Sequence, residues 1–393
     1  MRVGFYVGEI QDEKNGGGHT FQVSLIEGLI MAKCEHEFYV YYRCNKNLFK
    51  TSENVKFINM NFEYIPKIEK KLFRRKKRRH ESDLNTLILR DKIELVYHIT
   101  PSAPQVEVPY VFTVWDLAHK EMTFFPEVSN AGWTFEEREK NYISMIPKSS
   151  YTVIGNNEGK RQVCQYYNMN EDRVKIIPMP TPNDVSSTQP DTSVLEKYKL
   201  EKNKYLFYPA QFWPHKNHIR LVKAIKKLKE QNYDFKMVFT GSDFGNEKYI
   251  KQIVKDFGLK EDVLFLGFVT REEIIALYKN AFALVYASLL GPDNIPPLEA
   301  MALKCPVISS GITGMREQLN DCALFFDPLD ENDLIDKLKL LENEELKQKL
   351  ISKGEVLSKS CCVDNYVNKM IEIIDEFAPI RECWSSIEKY VHL

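Results

Sequence analysis

The stretch Gly291-Pro292-Asp293-Asn294-Ile295-Pro296-Pro297-Leu298-Glu299-Ala300-Met301-Ala302 decides how the chain is read. Proline has no N–H to donate and its φ is preset for a first helical turn, so Pro296-Pro297 marks a helix start and places Glu299 in that first turn. Short β-rich apolar runs flank the stretch at 283–287 and 307–309. Strand, loop, helix and strand in this order predict a parallel βαβ unit, in which ligands meet the loops beyond the carboxyl ends of the strands.

Working outward, the same alternation fills residues 204–376. Strands are predicted at 205–208, 237–240 and 263–266, and helices at 219–228, 272–279 and 333–341. Residues 178–203, with Pro178, Pro180, Pro182 and Pro190, lack it, and 181–203 read as a linker. A second alternation precedes them in residues 1–180, with strands at 3–7, 38–42, 55–58, 95–99, 111–114 and 151–154. After the first strand come a polar loop, Gly16-Gly17-Gly18, and a helix marked by Phe21, Leu25 and Leu29. Both halves are therefore Rossmann-like α/β units facing across a cleft. A length of 393 residues, with 44% apolar and 28% charged, suits two domains that each bury a core.

The N-terminal apolar run is too short for a signal peptide, no stretch reaches the ~18 apolar residues needed to cross a bilayer, and the eight cysteines show no CxxC spacing. We therefore expect a cytoplasmic chain with reduced thiols, in which any membrane contact is peripheral.

A lysine with chemical potential follows the strand at 205–208, in Tyr208-Pro209-Ala210-Gln211-Phe212-Trp213-Pro214-His215-Lys216-Asn217. Read alone it is a solvated surface charge. On a loop entering a helix, the same ammonium can pair with phosphate beside free helix amides. With Gly267-Phe268-Val269, the 291–302 stretch and Lys304-Cys305-Pro306-Val307-Ile308, this loop resembles the retaining glycosyltransferases of family 4, mannosyltransferase-like enzymes with the two-domain GT-B fold. The likeness spans most of residues 205–341. In the first half it is looser, resting on Gly16-Gly17-Gly18 and on Thr113-Val114-Trp115-Asp116-Leu117-Ala118-His119 with Phe125-Pro126-Glu127.

The resemblance implies that Lys216 holds the diphosphate of a nucleotide-sugar donor and Glu299 the ribose hydroxyls. It implies that backbone at Phe268 and Val269 borders the base, that Gly17, Gly18, Gln211, Gly241, Asp293, Asn294 and Ile295 line the donor, and that Asp116 and His119 serve the sugar or acceptor side. Two positions depart from the pattern. Gly291 stands where the family has a glutamate on the transferred sugar, so Asp293 or Asn294 is expected to take over, and Gln211 replaces an arginine of the phosphate clamp. The implied reaction moves a sugar to an acceptor hydroxyl with retention, on a lipid-linked or surface-polysaccharide glycan. No DxD pair follows a strand, and Asp330-Glu331 reads as a loop pair without partners. We therefore expect no cofactor and no metal.

A sugar-nucleotide 2-epimerase of the same fold is the rival enzyme class. A nucleic-acid or anion-binding protein is the rival of another class, resting on residues 67–79, where nine Lys or Arg run from Lys67 to Arg79 against one Glu in a chain of net charge −1. There Ile65, Ile68 and Leu72 recur at helical spacing amid the cations, which predicts an amphipathic helix on an anionic membrane surface at the inner face of the plasma membrane rather than nucleic-acid binding. The chain end, residues 377–393, is expected to kink at Pro379 and cross back onto the first domain.

Overall fold

The computed structural model describes residues 1–10, 17–51, 54–63, 79–129 and 133–385. The basic run of residues 67–78, with the helix expected there, lies outside the described residues, as do Gly16 and the last eight residues.

Two parallel sheets form the protein. The first contains β1 (Arg2–Glu9), β2 (Glu37–Arg43), β3 (Val55–Asn59), β4 (Leu95–His98), β5 (Tyr110–Thr113), β6 (Tyr151–Ile154) and β7 (Val174–Ile176), ordered β3-β2-β1-β4-β5-β6-β7. The second contains β8 (Tyr205–Pro209), β9 (Lys236–Thr240), β10 (Val263–Phe265), β11 (Ala283–Tyr286), β12 (Val307–Ser310) and β13 (Leu324–Phe326), ordered β10-β9-β8-β11-β12-β13. Helices cover both faces of a parallel sheet, so its inner strands are buried throughout and read as continuous apolar runs. That is why 151–154 and 283–287 stand out in the sequence. Of the three-residue edge strands, β10 falls within an expected strand, whereas β7 and β13 were not foreseen.

The first unit carries α1 (Gly17–Met31), α2 (Arg79–Arg90), α3 (Ala118–Glu121), α4 (Pro126–Ser129), α5 (Phe135–Met145) and α6 (Asn157–Tyr167). Residues 181–203 are more ordered than the expected linker. They form α7 (Asp184–Ser187) and α8 (Val194–Lys197), and Val185, Val194 and Leu200 are buried in the second core. The second unit continues with α9 (His218–Glu230), α10 (Glu247–Asp256), α11 (Arg271–Asn280), α12 (Ile295–Ala302), α13 (Thr313–Leu319), α14 (Glu331–Leu340) and α15 (Glu344–Ser360). Asp330 and Glu331 are not an idle loop pair. The Asp330 carboxylate caps α14 by accepting from the Asn332 amide, and Glu331 pairs with Arg220 and Lys227.

The return to the first unit comes earlier than expected. The outgoing and returning segments run side by side, with the Thr181 amide donating to the Cys361 carbonyl at 2.6 Å. From there α16 (Val363–Arg381) lies on α1, burying Val363, Tyr366, Val367, Met370, Ile374 and Phe377 in the first core. Gly28 permits the contact, since a Cβ there would lie 2.6 Å from Val363 Cγ1. Pro379 does not break this helix, which runs two residues further. The crossing is set by the apolar face of residues 363–377, so it begins before the expected boundary at 376 and ahead of Pro379.

Candidate active site

In both sheets the strand order reverses at one point, between β1 and β4 and between β8 and β11. A crevice opens at such a point because neighbouring connections leave in opposite directions. In the second sheet, the loop after β8 carries Lys216 and the loop after β11 carries residues 287–294.

The β8 loop is held from several sides. Gly241, at φ +137°, lets the next loop approach so closely that a Cβ would lie 2.5 Å from the Ala210 carbonyl oxygen. A 3₁₀ turn at Pro214–Lys216 is followed by Asn217 in the left-handed region, and the Asn217 amide donates to the carbonyls of Ala287 and Pro328. Tyr208 donates its hydroxyl to the Lys216 carbonyl at 2.9 Å, and the Lys216 ammonium donates to the Tyr286 hydroxyl at 3.0 Å. Tyr286 in turn donates to Asn294 Oδ1 at 2.6 Å. The two tyrosine rings meet edge to face at 5.5 Å. Among the described residues no carboxylate pairs with Lys216, so its charge is held in place by a neutral hydroxyl and stays free to meet an anion.

Asn294 precedes α12, and Ile295 is its first residue. Glu299 is therefore the fifth helical residue and lies in the second turn, one turn later than expected, because Pro296-Pro297 occupy the second and third positions. Those prolines also remove two of the four amides a helix start normally offers, and the Asn294 amide is taken by Gln318 Oε1 at 3.0 Å. This end is a poorer anion binder than the sequence implied.

Gly291 sits at φ +120°, and a Cβ there would lie 2.7 Å from Asn294 Nδ2. The Asn294 side-chain carboxamide occupies the space a side chain at 291 would need. Asp293 turns the other way, toward the first unit. Its Oδ2 accepts from the Met179 amide, its side chain packs on Gly155, and its Oδ1 is buried with no partner within hydrogen-bond criteria among the described residues. Burial pushes its pKa up to about 7. Asp293 thus forms part of the seam between the units, where Asn156 also donates to the Pro292 carbonyl and Glu317 accepts the amides of Asn157 and Glu158.

Glu299 is 6% exposed, and its carboxylate accepts from Arg271 Nη1 at 2.7 Å and from the Tyr278 hydroxyl at 3.1 Å. Arg271 also grips Asp184 with Nε and Nη2 at 2.7 and 2.9 Å. Burial opposes its charge, but Glu299 and Asp184 hold its pKa above the ordinary value. Sequence reading missed Arg271. The signal was present in Thr270 and Glu273, whose capping box starts α11 and puts Arg271 at its first position. Beside it, Phe268 is half exposed and Val269 is buried.

In the first unit, Gly17 and Gly18 open α1. Asp116 follows β5, accepting from the Ala118 amide at 2.9 Å and from Arg138. Burial alone would raise its pKa, but Arg138 carries it below the usual range. His119 is fully buried within this unit, with Nε2 2.9 Å from Glu139 Oε2 and 3.2 Å from the Tyr167 hydroxyl. Burial pushes its pKa down to about 4, so the ring is neutral at pH 7 and is enclosed rather than presented to the second unit. A side chain of this unit that does reach across is Glu127, to which no role was given. Its Oε1 accepts from the His215 amide at 2.9 Å and from His215 Nδ1, next to Lys216. Gln211 lies beside this contact, its Oε1 accepting from Trp213 Nε1 at 3.1 Å.

Comparison with known proteins bears on this geometry. Residues 192–356 match the family model described as Glycosyl transferases group 1. The O-antigen chain mannosyltransferase RfbU of Salmonella typhimurium is 33% identical over 193 residues, which are 49% of this chain and 49% of the relative. O-antigen chain mannosyltransferase B of Escherichia coli is 23% identical over 237 residues, 59% of this chain and 62% of the relative. The chain thus spans about half the length of the first of these relatives and under two thirds of the second. Among solved structures, sucrose-phosphate synthase from Thermosynechococcus elongatus aligns with a TM-score of 0.73 at 16% identity, over 96% of this chain and 99% of that one. WaaG, a glycosyltransferase involved in lipopolysaccharide biosynthesis, aligns at 0.68 and 15% over 95% and 99%. The fold is the two-domain GT-B fold of these glycosyltransferases.

Proposed function

We propose that this chain, whose residues 192–356 form a glycosyl transferases group 1 domain, is a glycosyltransferase that moves a sugar, mannose first among candidates, from a nucleoside diphosphate to a hydroxyl of a surface-polysaccharide glycan. The observation that carries the reading is Lys216, an ammonium with no carboxylate partner among the described residues, fixed at the strand-order reversal of the matched domain.

In this reading Lys216 meets the donor diphosphate. As the bond between the sugar's anomeric carbon and the diphosphate oxygen breaks, its electron pair leaves with the diphosphate, and Lys216 stabilises that growing charge more than it does the ground state. The acceptor oxygen bonds to the anomeric carbon on the face being vacated, and its proton passes to the departing phosphate, giving retention. We propose metal-independent chemistry, because the sequence places no DxD pair after a strand.

The experiment is a donor screen. GDP-mannose, UDP-glucose, UDP-N-acetylglucosamine and ADP-glucose are tested for binding by thermal shift, then for hydrolysis and transfer with and without EDTA. Turnover of one donor that survives EDTA, and that falls about a hundredfold or more in Lys216→Ala, is expected. No turnover of any donor, or full activity in the variant, defeats the assignment. Residues 67–79 carry a second part of the proposal, attachment to anionic membranes. No helix among the described residues is long and apolar enough to cross a membrane. Sedimentation with phosphatidylglycerol vesicles but not with phosphatidylcholine vesicles is expected, and equal behaviour with both removes it.

A further inference from the structure

Arg271 occupies a position that simple charge neutralisation does not require. A carboxylate offers about four lone-pair sites, two on each oxygen. In Glu299, Arg271 Nη1 uses one on Oε1 and the Tyr278 hydroxyl uses one on Oε2. One site then remains on each oxygen, which gives one carboxylate two acceptor sites for two adjacent hydroxyl donors. The side chain retains a small exposure, 8%.

The guanidinium itself is not free to turn. Asp184 takes Nε and Nη2 in a two-pronged contact, which fixes the guanidinium plane and therefore the direction in which Nη1 points. Tyr278 is likewise pinned, its ring edge-on to Phe207 at 4.9 Å and its hydroxyl also 3.2 Å from the Pro296 carbonyl. Both tethers on Glu299 are rigid, so the carboxylate plane is rigid too.

We propose that Arg271 is a positioning residue that, with Tyr278, turns the Glu299 carboxylate so that its two remaining lone pairs receive the vicinal hydroxyls of the donor's ribose. The inference rests on Glu299 being the ribose-binding residue of the proposed glycosyltransferase. Arg271 touches Glu299 and Asp184, and its effect on the donor passes through them. A lysine at 271 keeps the charge but is a single point with no plane, and cannot hold Asp184 and aim Glu299 together.

The test is the ratio of affinities, by calorimetry, for GDP and 2′,3′-dideoxy-GDP, or for UDP and 2′,3′-dideoxy-UDP if the protein prefers uridine. The wild type is expected to favour the ribonucleotide by about tenfold or more, as two hydrogen bonds to a carboxylate imply. Arg271→Lys is expected to bring the ratio within about threefold by weakening the ribonucleotide alone, leaving affinity for the dideoxy compound unchanged. Tyr278→Phe and Asp184→Asn each release one tether and give intermediate ratios; they also keep the test decisive if Arg271→Lys folds poorly. A wild-type ratio retained in the folded variants overturns the positioning role while leaving Glu299 on the ribose. A wild-type ratio near one, or no nucleotide binding, overturns the Glu299 reading and the inference with it. Equal losses for both nucleotides assign Arg271 to loop structure and overturn the inference.

Discussion

Replacing Glu127 with alanine removes the contact that α4 of the first domain makes with the loop bearing Lys216. At neutral pH the carboxylate is ionised. Burial alone would raise its pKa, but the bonds from His215 carry it below the usual range. His215 is neutral, because burial lowers its pKa more than Glu127 raises it, and it donates Nδ1–H. Two hydrogen bonds to one ionised, buried acceptor contribute about 1.5–3 kcal/mol each. If the domains part, water satisfies the two donors, so the loss falls on the balance between closed and open forms rather than on unfolding of either core. A net loss of about 3 kcal/mol shifts that balance roughly a hundredfold. Small-angle scattering should then show a larger radius of gyration for Glu127→Ala at pH 7, with a melting transition close to wild type. The sign with pH follows from both groups having lowered pKa values. The contact is complete above the ordinary histidine range and is lost as pH falls, because separated His215 and then Glu127 take up protons that the closed form excludes. Acidifying the wild type from pH 7.5 to 5, through the ordinary histidine range, should therefore move it in the same direction, toward the expanded form. Scattering curves that superimpose for variant and wild type, and for wild type at both pH values, would refute the clasp.

Four further outcomes are expected. Asn294→Ala should lower turnover more than it weakens binding of the bare nucleoside diphosphate, and equal losses by kinetics and calorimetry would move Asn294 off the sugar. Tyr286→Phe should lower turnover by about tenfold while the melting temperature holds, since only the hydroxyl between Lys216 and Asn294 is lost; unchanged kinetics would make the hydroxyl incidental. Gly28→Val should push α16 off α1, because Val363 and Val367 already lie 2.6 and 2.9 Å from the Cβ position, at a cost of about 1–3 kcal/mol or more read from thermal melting. Asp293, whose pKa is raised to about 7 by burial, is protonated in the fold where the unfolded chain would ionise it, so its contribution to stability falls as pH rises from about 4 to 7. Asp293→Asn should flatten that decline in melting temperature, and an unaltered profile would show that the group is ionised in the fold.

The sequence by itself determined what local chemistry governs. Short β-rich runs located eleven of the thirteen strands among the described residues, the proline pair at 296–297 located the start region of α12, and the loop between a strand and α9 singled out Lys216. Each is a property of a few consecutive residues. Where the local signal was thin the reading erred: the three-residue edge strands β7 and β13 were passed over, and the return to the first domain was placed at Pro379 although the apolar face that makes it begins at Val363. The tertiary structure alone decided what each side chain faces. Glu299 meets Arg271 across 28 residues, Glu127 meets His215 across 88, and Asp293 meets Met179 across 114. No spacing rule encodes those pairings, because they arise only when the loops of one sheet converge and the two sheets are set against each other. His119 and Asp293 show the consequence, for both carry polar groups suited to a sugar, yet the backbone turns one into the first core and the other into the seam between domains. Residue type and spacing limit what a site can do chemically, while burial and direction, which packing sets, decide which of those residues are presented to a substrate.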